Sequence, residues 1–301
     1  GPWDPGNHER STDDCVFLQL DPPLDRKVNA SLLDLFLQGA CLRMDRNEAP
    51  HLDENQIIAC HIRNRTDQWE MVTPAMVRRI AEAGHEIGSH SYWHQEVYDH
   101  TPGSFREDLR RSIGVLEETS GQRVIGFRAP SFSLTPGCEW AWDALLDMGL
   151  RYDASVFPVA RAHGGYPLPT GQGSTEAAMT LTTPTGRMIK ELPMSVMRLP
   201  VLGKRIAFSG GGYFRVLPWW LVKRGFAQHE SAGRSAVLYL HPWDFAADGP
   251  SLPMRRSQRL KCYRNRDQTE GRLRELLGRY RFDTCAAVMG MDQRDRMPLA
   301  A

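Results

Sequence analysis

Ala81-Glu-Ala-Gly84-His-Glu-Ile-Gly-Ser-His90-Ser-Tyr-Trp-His94 is the stretch on which the reading of this chain turns. It reads as the end of a helix, a glycine turn, a short strand and then two histidines four residues apart. Residues at that spacing can meet on one side of a helical turn, and neutral imidazoles are good ligands for a borderline metal such as zinc. A strand immediately before the pair suggests a metal held at the mouth of an α/β sheet.

The flanks repeat this alternation. Thr73-Pro74 opens a helix through Ala83, with a cap, a proline at the first helical position, and Met76, Val77 and Ile80 on one face. Thr101-Pro102 opens another, with Phe105, Leu109, Ile113 and Leu116 spaced by three and four and Gly121 as the stop. Arg123 to Arg128 reads as a strand, Cys138 to Met148 as a helix and Tyr152 to Phe157 as a strand. Upstream, Cys15 to Leu20 reads as a strand closed by Asp21-Pro-Pro, and Asn29 to Gln38 as a helix. Strands alternating with helices through short loops imply a parallel sheet, either a barrel or a doubly wound fold. Such sheets carry their functional residues at the C-terminal ends of the strands. His90, Arg128 and Asp153 all fall at such ends.

The 301 residues, 41% hydrophobic and 24% charged, suffice for a sizeable core. A net charge of +1 gives no reason to expect a nucleic-acid or anionic-membrane partner, and no apolar run is long enough to span a bilayer. The local basic cluster of Arg255, Arg256, Arg259, Lys261, Arg264 and Arg266 reads as a solvated face. Six cysteines without a C-x-x-C pair argue against a zinc ribbon and leave free buried thiols as the default. Residues 1–15 read as a flexible arm, 16–282 as the folded domain and 283–301 as a flexible tail. The polar start lacks an export signal, which implies a cytoplasmic location.

Three further motifs carry a resemblance. His90-Ser91-x-x-His94, Arg128-Ala-Pro130 and Leu238-Tyr-Leu-His241 occur in the order and form seen in the polysaccharide deacetylase family, the NodB-homology carbohydrate esterases. The pieces Gly126 to Pro136, Arg151 to Pro158, Gly210 to Arg215 and Tyr239 to Trp243, with the segment Tyr263 to Phe282, resemble the deacetylases of bacterial exosortase-associated exopolysaccharide clusters. The resemblance runs from about Thr73 to Phe282. It implies a distorted (β/α) barrel with a C-terminal extension, and a metal-dependent hydrolase, zinc being the expected metal, that removes N-acetyl groups from sugars of a bacterial polysaccharide.

By that resemblance His90 and His94 bind the metal, His241 is the general acid and Arg128 orients the base carboxylate, with Asp153 placed to partner His241 or Arg128. De-N-acetylation requires these types: an activated water, a carboxylate to take its proton and an acid to protonate the departing amine. Tyr213, Phe214 and Trp243 are candidates for stacking on a sugar face. The first family motif, a pair of carboxylates at the end of the first strand, is altered. Ser11-Thr-Asp13-Asp14 matches in letters but precedes the apolar run. Asp21 ends that run and is the candidate base, although Pro22 replaces the second acid. Two alternatives therefore stand beside the deacetylase: a hydrolase of small cyclic amides or imides on the same fold, and a carbohydrate-binding protein without turnover.

Overall fold

The computed structural model describes residues 61–63, 69–71, 74–159, 164–166, 178–199, 204–245 and 256–291. The expected strand at 15–20, the helix at 29–38, the flexible arm 1–15 and the candidates Asp13, Asp14 and Asp21 lie outside the described residues.

The described chain is mixed α/β. Strands β1 (His61–Arg63) and β2 (Trp69–Met71) pair antiparallel. Helix α1 (Pro74–Glu82) follows, burying Val77, Ile80 and Ala81; the side chain of Met76 is outside the described set. Helix α2 (Pro102–Ser120) begins with a capping box, in which Ser104 N donates to Thr101 Oγ1 and Thr101 N donates to Ser104 Oγ, and stops at Gly121 in a left-handed conformation. The central sheet contains β3 (Gly126–Phe127), β4 (Tyr152–Asp153), β5 (Met179–Thr182) and β6 (Met188–Glu191) in the order β3-β4-β6-β5. Its first three neighbours are parallel and β5 is antiparallel. Helix α3 (Trp140–Asp147) makes the crossover from β3 to β4. The expected strand at Glu86–His90 is reduced to a parallel bridge between Ser89 and Phe127, which extends the sheet beyond β3.

A second set of elements completes the fold. Strands β7 (Val196–Arg198) and β8 (Arg205–Ala207) form an antiparallel pair. Helices α4 (Gly211–Val216), α5 (Trp219–Ser231), α6 (Arg256–Tyr263) and α7 (Thr269–Arg279) follow. A parallel bridge joins Gly210 to Tyr239. Gly210 has no room for a side chain, because a Cβ there would lie 1.9 Å from Tyr239 Cε1.

Residues 283–291 do not form the expected tail. Thr284 caps a last short helix, α8 (Cys285–Val288), and Cys285 and Ala286 are buried. Glu86 fixes this segment: its carboxylate accepts from the Tyr152 hydroxyl at 3.0 Å and from the Ala286 backbone N–H at 3.1 Å. A buried carboxylate satisfied by two donors ties the strand before His90 to the end of the described chain. Cys138, Cys262 and Cys285 are free thiols. Among the described residues no helix is long and apolar enough to cross a membrane.

Candidate active site

His90 leaves the sheet immediately after Ser89. Ser89 N donates to the Gly126 carbonyl and Arg128 N to the Ser89 carbonyl, so the His90 and Arg128 segments emerge side by side at strand ends. His90 Nδ1 donates to the Arg128 carbonyl oxygen at 2.6 Å, which fixes the tautomer and leaves a lone pair on Nε2. That Nε2 is buried without a hydrogen-bond partner among the described residues. The His94 ring stands edge-on to His90 with centroids 5.1 Å apart. Burial, reinforced by the neighbouring His94, holds His90 well below the usual histidine range, and burial likewise lowers His94. Both imidazoles are thus neutral, the form that ligates metal.

The pair does not meet on a helical turn. Residues 90–94 form a loop in which Ser91 and His94 both take left-handed backbone conformations, φ 73 and 54. Such φ values in non-glycine residues cost free energy and need support from their surroundings. Asp108 of α2 supplies it: its carboxylate accepts from Tyr92 N at 2.8 Å and Trp93 N at 3.0 Å. The Ser112 hydroxyl, one turn on, bonds that of Ser89 at 2.8 Å.

His241 follows the strand-like Tyr239 bridge and faces the same region, close enough for its charge to influence both His90 and His94. Its Nδ1 donates to Asp244 Oδ2 at 3.1 Å, and its backbone N–H donates to the same oxygen at 2.8 Å. The other oxygen of Asp244 accepts from Arg215 Nε at 2.6 Å. Burial pushes the Asp244 carboxyl up, but the His241 hydrogen bonds and the Arg215 charge outweigh it and hold the group down at about 2. Asp244 is therefore an anion that holds the His241 ring through Nδ1.

Arg128 is buried, donates from Nε to the Ala154 carbonyl at 2.8 Å and lies over the rings of Phe132 and Tyr239. Tyr239 also packs edge-on against Phe132 and His241. The Arg128 and His241 motifs are thus joined through shared aromatic packing.

Asp153 does not partner His241; Asp244 occupies that position. Asp153 is fully buried, accepting from Trp142 Nε1 at 2.9 Å and from Ser155 Oγ. The parallel register sets Glu191 of β6 opposite it. Burial raises both carboxyls, and the Asp153 charge raises Glu191 further, so Glu191 holds the proton of the pair. Phe214 cannot stack on a ligand either: it is fully buried, packed on Trp219. Apolar packing against the helices behind α4 takes its ring inward, while Tyr213 beside it remains 42% exposed. The Trp243 side chain is outside the described residues. Trp93, 54% exposed, is an aromatic at the histidine loop that sequence reading passed over. Among the described residues no group of three or more His, Cys, Asp or Glu side chains gathers around one point.

Parts of the chain are similar to known proteins. A polysaccharide deacetylase family model matches residues 48–152, and a domain of unknown function (DUF3473) matches residues 154–290. Residues 48–152 thus carry a polysaccharide deacetylase domain, and the second match beside it marks the exopolysaccharide deacetylase subgroup. It is 35% identical over 65 residues to the uncharacterized protein YlxY of Bacillus subtilis, covering 22% of this chain and 20% of that protein. It is 28% identical over 80 residues to a peptidoglycan deacetylase of Helicobacter pylori, covering 27% of this chain and 26% of that one. The chain thus spans about a fifth to a quarter of the length of these curated relatives. A crystal structure from Mycobacterium smegmatis, described as a polysaccharide deacetylase, aligns over 76% of this chain and 70% of its own, with a TM-score of 0.45 and 19% identity.

Proposed function

We propose that this protein is a metal-dependent hydrolase that removes N-acetyl groups from sugars of a bacterial polysaccharide. The observation that carries this reading is a buried neutral histidine, His90, stacked edge-on with the half-buried neutral His94 and near a third histidine held by an anionic aspartate. The polysaccharide deacetylase match over residues 48–152, and a peptidoglycan deacetylase among the relatives, support the substrate class.

The donor set suits a divalent metal, zinc first. The buried, unpartnered Nε2 of His90 would be costly without a cation to face. His90 and His94 would hold the metal, with Asp21, outside the described residues, as the candidate base. When bound, the metal lowers the pKa of water and polarises the amide carbonyl. The chain's own groups do the rest. Asp21 takes the proton from the attacking water. His241, protonated on Nε2 and anchored by Asp244 through Nδ1, gives a proton to the departing amine. Arg128 holds the His90 ring through its carbonyl and sets the charge around the base. Acetate and a free amino sugar leave.

Acetate release from an N-acetylglucosamine oligomer by zinc-loaded protein, lost on chelation and in His90→Ala, tests the reading; metal-loaded protein inert on a broad panel of N-acetylated glycans would overturn it. A second reading, a carbohydrate-binding member without turnover, is favoured by the altered first motif at Asp21-Pro22. It predicts glycan binding with no stoichiometric metal.

A further inference from the structure

The basic cluster that reads as a solvated face in the sequence has a different character in the fold. Between residues 256 and 267 there are five basic residues and one acid. Arg256, Arg259, Leu260, Tyr263 and Arg264 line a shallow, open groove of about 350 Å³ along α6. Three exposed arginines elsewhere are paired, Arg110 with Glu107, Arg274 with Glu270 and Arg106 with Asp147. The side chains of Arg256, Arg259 and Arg264 have no carboxylate within ion-pair distance among the described residues. The layer beneath is cationic too. Arg266 is buried with its guanidinium 4.3 Å from the Tyr263 ring centroid, and Arg215 donates to the Arg264 carbonyl at 3.0 Å. Three like charges left unpaired along one helix repel each other and attract an anion. Leu260, 45% exposed between them, adds apolar surface that a fully solvated salt-bridged face would lack.

One buried residue bridges the backbone of the groove and the partner of His241. Arg215 reaches Arg264 with one nitrogen and Asp244, the partner of His241, with another. Helix α6 packs on α4, the helix that carries the exposed Tyr213.

We propose that this arginine groove is a subsite for an acidic polysaccharide, gripping carboxylate-bearing sugars of the chain whose N-acetyl group lies at His90, His94 and His241. The proposal rests on the deacetylase reading and narrows its substrate class to anionic glycans. Planar guanidinium groups pair with sugar carboxylates in bidentate fashion, and Tyr263 and Leu260 offer apolar surface to ring faces. A nucleic acid or an anionic membrane would also meet positive charge, but neither carries the N-acetylated sugar on which the proposed function acts.

The test compares a hyaluronan hexasaccharide, which alternates glucuronate with N-acetylglucosamine, with the neutral N-acetylchitohexaose, by titration calorimetry on the full chain. The expected result is tighter hyaluronan binding by roughly tenfold at about 0.05 M salt, falling towards parity at about 0.5 M. The Arg256→Ala, Arg259→Ala double variant loses roughly three- to tenfold in hyaluronan affinity with chitohexaose binding unchanged, and the double lysine variant retains most of it. Equal affinity for the two oligomers at low salt, or a double variant that weakens both equally, overturns the proposal. So does arginine-dependent binding to phosphatidylglycerol vesicles with hyaluronan affinity unmoved. Acetate release from both oligomers, measured in parallel, separates the two readings: its absence from hyaluronan as well as chitohexaose, with the anionic preference intact, removes the deacetylase and leaves the groove.

Discussion

His90 is tied to Arg128 by the Nδ1 to carbonyl hydrogen bond of 2.6 Å, next to the bond from Arg128 N to the carbonyl of the preceding Ser89. The first bond decides which nitrogen of His90 is a lone-pair donor. His90→Ala and His94→Ala should each retain the fold but lose stoichiometric zinc by elemental analysis, with acetate release falling to background. A variant that keeps about one zinc per chain would remove that histidine from the metal site.

Asp244→Asn keeps an oxygen near His241 but removes the negative charge that fixes its tautomer. The turnover number should fall by roughly a hundredfold or more, with a smaller change in KM. Arg215, buried beside it, loses its counter-charge, so the variant should also be destabilised by about 3–5 kcal/mol in denaturant titration.

The same carboxylate predicts an acid-stability signature. Asp244 lies at about 2 in the folded protein against an ordinary 3.8. A group with a depressed folded pKa contributes stability above its unfolded value, and the contribution disappears as pH falls through the folded value. Asp244 therefore adds about 2 kcal/mol at neutral pH that is lost between about pH 4 and pH 2. Unfolding free energies measured across that window should show this component in the wild type and lack it in Asp244→Asn.

Asp108→Ala removes the acceptor for two backbone N–H groups in the loop with left-handed Ser91 and His94. Stability should drop by about 1–3 kcal/mol, and zinc affinity by roughly ten- to a hundredfold as the His94 ring loses its support. Competition with a chelator measures the second effect. Unchanged zinc affinity would show that the loop holds His94 without Asp108.

Neighbouring residues of α4 should separate stability from binding. Phe214→Ala empties a buried ring position and should cost about 3–5 kcal/mol. Tyr213→Ala should leave the melting temperature nearly unchanged and raise KM for the glycan.

Much of this arrangement was legible in the residue pattern. The helices at 74–82 and 102–120 announced themselves by proline, cap and apolar spacing. The strand ends at 90 and 128 were marked by the histidine pair and by the Arg128-Ala-Pro130 turn. Asp108 and Ser112 were readable too. They share the buried face of Phe105, Leu109 and Leu116, and polar residues on an apolar stripe must find partners. Asp244 lies three residues beyond His241, but its role needs a short helical turn that the sequence Pro242-Trp-Asp-Phe245 does not signal strongly. The loop at 90–94 was misread because spacing of four describes a helix as well as two left-handed kinks. Glu191 was invisible, because its meeting with Asp153 depends on strand register between segments some forty residues apart.

Glu86 gives the chain a property that its two matched halves conceal. The first match ends at residue 152 and the second begins at 154, so the boundary between them cuts through β4. Across that boundary one carboxylate holds Tyr152 on one side and Ala286 on the other. Separated at that seam, each half would expose a torn sheet edge, and the first would strand a carboxylate in its interior. The described chain should melt in a single transition, and co-expressed fragments should survive only as a reassembled pair.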